Sequence, residues 1–286
     1  MLVVAIGAPD GVHAAVRRAD ATLDAVVAAV AGLPDGDVVL ATRDDAGRKV
    51  ARSARLVLGP ERLGLLHVDT PVTAWAVMLA GLVTGGLTAS SARAVADVVL
   101  ARVTTRAIVS SVASLESPAP TFRQHAGSLL PRTAFVVDPG RGTVGRFRES
   151  LGVPSGGDLL VVARSPRPVV PDAMDLLPRP ADAELVNASA GWPAARWFEA
   201  STIDGPLSWA VASAASASHR WSACEVCGRA ATETCIFCDI AARPARTGRT
   251  PRAELPDHPE HQHPEHQHPE HQHPEHQHPE HQGVIS

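Results

Sequence analysis

Leu2-Val3-Val4-Ala5-Ile6-Gly7-Ala8-Pro9-Asp10-Gly11 is the stretch that decides the class of fold. Its first five residues are apolar and uncharged, which predicts a buried strand. The Gly/Pro/Asp cluster behind them predicts a tight turn. Val12–Arg18 follows, rich in Ala and Val, and is expected to be helical with Asp10 as its N-cap. Strand, glycine turn and helix form the opening unit of many α/β folds. The turn fits no phosphate-binding fingerprint. Gly7 and Gly11 match neither G-x-G-x-x-G nor a Walker A loop, and Asp10 would set a negative charge beside an anion.

Outward from this unit the pattern continues to alternate. Ala21–Leu33 carries Leu23, Val26, Val27 and Val30 at helical spacing. Asp35–Ala41 enters a second strand and Arg43–Arg48 reads as a turn. Ala54–Leu58 and Leu63–Val68 read as two more strands on either side of Gly59-Pro60. Pro71–Val83 and Ala89–Ser114 are expected to be helices, the second buried along Ala92, Val95, Val99, Val103, Ile108 and Val112. The uncharged run Thr70–Ala92 is read as a buried helix. Its strongly apolar part, Ala74–Val83, is shorter than the roughly 20 residues that a membrane span needs. Arg132–Asp138 and Leu159–Ala163 are further strands, with a short helix expected around Arg146–Leu151. Residues 1–165 are therefore expected to form one mixed domain, α/β or α+β. Residues 166–222 comprise a proline-rich connection and a segment containing Trp192, Trp197, Trp209 and Trp221. That segment is read as a local core, with a helix over Ser208–Ser218.

Cys224-Glu225-Val226-Cys227-Gly228 and Cys235-Ile236-Phe237-Cys238 hold all four cysteines of the chain. Two Cys-x-x-Cys pairs at this separation can wrap four thiolates around one ion, so residues 223–242 are expected to form a small zinc module. With every ligand position taken by sulfur the Zn²⁺ would be structural. An iron–sulfur cluster, a redox pair or two disulfides are the alternatives. The segment resembles zinc knuckle and ribbon modules, and Cys224–Gly228 resembles the opening half of HIT- and MYND-type zinc fingers. Those families continue with a second ligand set, which this chain lacks after Cys238. A similar cluster closes tRNA-thiolation enzymes of the PP-loop family. However, Ser155-Gly156-Gly157-Asp158 lacks the rest of their signature and precedes its strand instead of following it.

Arg243, Arg246, Arg249 and Arg252 lie in a linker, 243–257, where they suit either phosphate contacts or solvation. Residues 258–286 contain five copies of His-Pro-Glu-His-Gln and are expected to be disordered, since they offer nothing to bury. The ten histidines there suit metal binding or a pH-sensitive tail, and tandem duplication of a short DNA unit is the plain alternative. The chain is 45% hydrophobic, enough for a sizeable core, and Lys49 is its only lysine, a bias that a GC-rich bacterial genome produces. Residues 253–286 carry seven acidic groups, so a net charge of −4 leaves about +3 on the body (−4 + 7), too weak to argue for nucleic acid. The N-terminus lacks the basic region of a secretion signal, and four cysteines at metal spacing suit a reducing cytoplasm. There is no G-x-S-x-G and no H-E-x-x-H. The expected function is therefore a zinc-stabilised cytosolic binding or assembly protein with a protein partner. The alternatives are an enzyme with a site near Gly7–Gly11 and the His67, Asp69 pair, or metal storage through the His-rich tail.

Overall fold

The computed structural model describes residues 1–241 except 131–132, 168, 179–182, 189–190 and 218–220. The expected His-rich tail and the arginine linker lie outside the described residues.

A parallel sheet opens the chain. It is built from β1 (Leu2–Ile6), β2 (Arg17–Ala19), β3 (Val38–Thr42) and β4 (Leu63–His67), in the order β2-β1-β3-β4. Its crossovers are α1 (Leu23–Ala31) and α2 (Asp45–Leu58). Because helices cover both faces, these strands read as continuous apolar runs. Val4, Ile6, Val38 and Leu40 pack with Val26, Ala29, Ala51 and Ala54 on the side of α1 and α2. Val3, Ala5, Val39 and Ala41 face the other way, into the main core.

That core is centred on α3 (Val72–Val83), in which every residue but Val83 is buried. Beyond α3 lies a six-stranded sheet, β7-β6-β5-β10-β8-β9, formed by β5 (Val103–Val109), β6 (Phe135–Asp138), β7 (Thr143–Arg146), β8 (Leu160–Arg164), β9 (Ala183–Val186) and β10 (Trp197–Ile203). Its pairs are antiparallel except β8 with β9. The helix α3 is thus held between two sheets, which explains why it is apolar all round. Among the described residues no helix is long and apolar enough to cross a membrane. Two further helices, α4 (Ala92–Leu100) and α6 (Leu207–Ser216), pack beside α3, and a short α5 (Phe122–Gly127) follows β5.

The mixed α/β class stands, while several elements are corrected. Val12–Arg18 is not a helix. Its end forms β2, an edge strand parallel to β1, and the Gly7 N–H donates to the Ala19 carbonyl at 2.8 Å. Asp10 caps nothing. It bridges Asn187 and pairs with Arg18. The turn at Arg43–Arg48 and the strand at Ala54–Leu58 are one helix, α2. The Asp44 side chain caps it by accepting from the Gly47 N–H at 2.8 Å, and Gly47, Ala51 and Ala54 make its buried stripe while Leu56 and Val57 stay exposed. The helix expected to run to Ser114 ends at Leu100, and the β-branched run beyond it becomes β5. In place of a helix near Arg146–Leu151, the strand β7 pairs with β6. The strand β10 lies within the tryptophan-rich segment and has all seven residues buried.

Candidate functional site

The four cysteines sit on two small hairpins. Ser222–Ala223 (β11) pairs with Ala230–Ala231 (β12), and Thr234–Cys235 (β13) with Ile240–Ala241 (β14). Each Cys-x-x-Cys loop closes through its own backbone. The Gly228 N–H donates to the Cys224 carbonyl, and the Asp239 N–H to the Cys235 carbonyl, both at 2.8 Å. Such tight loops need a left-handed residue after the second cysteine. Gly228 (φ 71°) and Asp239 (φ 57°) supply it. The four Sγ atoms lie within 4.8 Å of one another, and Cys227 Sγ is 3.6 Å from Cys235 Sγ. Thiolates held tetrahedrally at a zinc–sulfur distance of about 2.3 Å are about 3.8 Å apart, so this donor set fits a metal ion.

Without a cation, four sulfurs cannot all ionise in this space. Burial pushes the Cys227 thiol up, but the Arg229 backbone N–H and the other three sulfurs outweigh it and bring Cys227 down to about 7. Burial and the same neighbours push Cys238 up to about 12. A divalent cation close to four sulfurs would favour their thiolate forms.

The hairpins are fastened to the edge of the parallel sheet. The Leu65 N–H of β4 donates to the Ile236 carbonyl at 2.8 Å. Arg229 forks onto Asp37 at 3.2 and 2.9 Å, donates to the Glu61 carbonyl at 2.7 Å, and lies 4.2 Å over the Phe237 ring. The local core read from the tryptophan-rich segment does not include Trp209, which is 67% exposed. Ile236 and Phe237 pack on Gly64. A Cβ at Gly64 would stand 2.7 Å from Ile236 Cδ1 and 3.3 Å from Phe237 Cζ. Gly64→Val is therefore expected to force the hairpins off β4, at a cost of about 1–3 kcal/mol. Calorimetry should show the lowered Tm; an unchanged Tm would refute this contact.

The second feature is a cleft of about 500 Å³ at the carboxyl ends of β3 and β4, the edge at which open α/β sheets hold ligands. Arg43 follows β3, and Asp69, Thr70 and Pro71 follow β4. Loops of the second sheet close the other side with Leu115, Glu116 and Trp192. Behind Trp192 is Glu199, which is 0% exposed. Its Oε1 accepts from the Thr73 N–H at 2.7 Å and the Thr73 hydroxyl at 2.5 Å, and its Oε2 accepts from Trp192 Nε1 at 2.6 Å. Ser201 Oγ lies 2.6 Å from both Thr73 Oγ1 and Thr105 Oγ1, extending the network. Burial pushes the Glu199 carboxyl above its usual range, against the pull of these donors and of Arg43. The Glu199 carboxyl sits at the amino end of α3, where the Thr73 N–H pulls against the effect of burial.

The remaining sequence candidates fall elsewhere. His67 and Asp69 are not a pair: His67 Nδ1 is 3.0 Å from Thr42 Oγ1, and Asp69 lines the cleft. The Gly7–Gly11 loop runs against β9. A side chain at Gly11 would run into the Leu185 carbonyl, so this glycine serves close approach to β9. Glu199, Trp192 and Arg43 escaped the sequence reading. The one available signal was a glutamate inside the otherwise uncharged run Trp197–Ile203.

No protein-family model matches the chain, and no curated protein matches it significantly. Solved structures do. A DegV family protein from Eubacterium eligens, loaded with heptadecanoic acid, is 12% identical, with a TM-score of 0.52 over 71% of this chain and 99% of that one. The Streptococcus pneumoniae fatty acid kinase B3 protein, loaded with linoleic acid, is 11% identical with a TM-score of 0.48 over 71% and 100%. A DegV family protein from Corynebacterium glutamicum is 11% identical with a TM-score of 0.46 over 71% and 96%. At such identity the first likeness is one of fold. It corrects the function expected from the sequence, a zinc-stabilised assembly protein with an enzyme or a metal store as alternatives. The body shares its fold with a DegV family protein that was solved loaded with heptadecanoic acid.

Proposed function

We propose that the protein binds a fatty acid, or a single-chain carboxylic amphiphile of that class, in the cleft at the carboxyl ends of β3 and β4. The observation that carries this reading is a cleft whose lining includes the cation Arg43 together with the apolar side chains of Leu115 and Trp192. A guanidinium and apolar side chains in one cleft suit a carboxylate head with a hydrocarbon chain. The likeness of fold to a protein loaded with heptadecanoic acid supports the same ligand class. Delipidated protein should displace a fluorescent fatty acid from solution in a saturable way, and heptadecanoic acid should compete. Arg43→Ala should weaken that binding about tenfold, the value of one charge-assisted hydrogen bond. Absence of saturable binding, or equal affinity in the variant, would overturn the assignment.

We further propose that Cys224, Cys227, Cys235 and Cys238 hold one structural Zn²⁺. The closed donor set of four sulfurs supports zinc, and leaves no position for water or substrate. The chemistry the ion supplies is charge neutralisation of the thiolates, which lets the two hairpins close.

A further inference from the structure

A pocket of about 210 Å³ lies between the cysteine hairpins and the parallel sheet, apart from the fatty-acid cleft. Arg48 and Arg52 reach it from α2, Arg93 from α4 and His67 from β4. The two α2 arginines are four residues apart, so they share one face of the helix. Leu40, Leu65 and Leu66 form an apolar floor, and Ile236 of the hairpin forms a wall. Only part of this positive charge is answered within the protein. Arg52 Nη2 is 3.4 Å from Asp239 Oδ2, and Arg93 Nε is 3.1 Å from Asp97. Among the described residues no ion pair engages Arg48.

We propose that this pocket binds a phosphate monoester. Three guanidinium groups on two helices can each turn a planar fork toward a tetrahedral dianion. Histidine adds a fourth donor, and the leucine floor lowers the local dielectric and so strengthens each contact. The volume suits a phosphate with a few attached carbons. A buried acyl chain does not fit, which separates this site from the cleft. The phosphate arrives either on a small soluble metabolite or on a lipid headgroup at a membrane surface.

Isothermal titration of the full chain with glycerol 3-phosphate, and flotation with vesicles of phosphatidylcholine with and without phosphatidic acid, test the assignment and its source. Saturable heat with glycerol 3-phosphate assigns a soluble ester. Flotation only with phosphatidic acid assigns a headgroup. In either case Arg48→Gln is expected to weaken binding about tenfold, while Lys49→Gln, the same loss of charge one residue on, leaves it unchanged. Matching melting curves for the two variants show that the fold is intact. Arg43→Ala should not alter phosphate binding, so failure of the fatty-acid reading and failure of this one are distinguishable. No binding of either probe up to about 10 mM, or equal effects of the two substitutions, would sink the proposal.

Discussion

Cys235→Ser is expected to abolish metal binding and free the hairpins from the sheet. Cys235 is 2% exposed and adjoins Ile236, whose carbonyl holds the β4 edge. A serine hydroxyl does not ionise near neutral pH and is a poor partner for zinc. The three remaining sulfurs would then repel one another once deprotonated. Structural zinc contributes about 10–16 kcal/mol in small fingers. With the proposed zinc bound, part of that would go into folding the hairpins, which have only short two-residue strands of their own. Elemental analysis should fall from one zinc per chain to none. Amide exchange should rise through residues 222–241 while α3 stays protected. The β4 edge would be left bare, so the variant should also aggregate more readily than the parent. Retention of one zinc with unchanged exchange would show that the cluster is not the clamp.

Glu199→Ala should be the most damaging single change in the second sheet. It leaves the Thr73 N–H, the Thr73 hydroxyl and Trp192 Nε1 without their acceptor, and opens a hole beside α3. Buried donors left unsatisfied cost about 1–3 kcal/mol each. The expected loss is roughly 4 kcal/mol, or a Tm lower by about 10 °C. Trp192 would lose its tether, so the cleft wall should loosen as well. The pH dependence carries a distinct sign. Burial raises this carboxyl in the folded state above its unfolded value near 4.5, so folding favours the protonated form. Its stabilising share is complete below pH 4.5 and declines as the pH climbs through the folded value. Glu199→Gln cannot titrate and should remove that decline. Chemical denaturation between pH 4 and pH 8 measures both effects. An unchanged slope in the glutamine variant would mean that other groups set the profile.

The parallel half of the fold was legible because its strands are buried on both faces and appear as unbroken apolar runs, as in Leu2–Ile6. The errors came where local pattern and tertiary demand part. Ala54–Leu58 looks extended when read alone, and only the Asp44 cap and the spacing of Gly47, Ala51 and Ala54 show a helix. Val103–Val109 continues the helical period of α4, yet sheet pairing claims it. The approach of the four cysteines was readable because their spacing is local. The cleft was not. Arg43, Asp69 and Trp192 are brought together by the meeting of two sheets, and no spacing along the chain records that. Glu199 could be seen as an anomaly in an apolar strand, but its partners Thr73 and Trp192 lie 126 and 7 residues away.

The central place of β10 has a consequence for synthesis. It separates β5 from β8, pairing with both, yet it is the last strand of its sheet to be made. On the ribosome β5, with β6 and β7, and β8, with β9, must wait as two fragments with open inner edges until residue 203 has emerged. During that interval the chain carries two unpaired strand borders facing a gap of one strand's width. Its vulnerability to association is thus greatest late in translation, and it ends when Trp197–Ile203 slots between them.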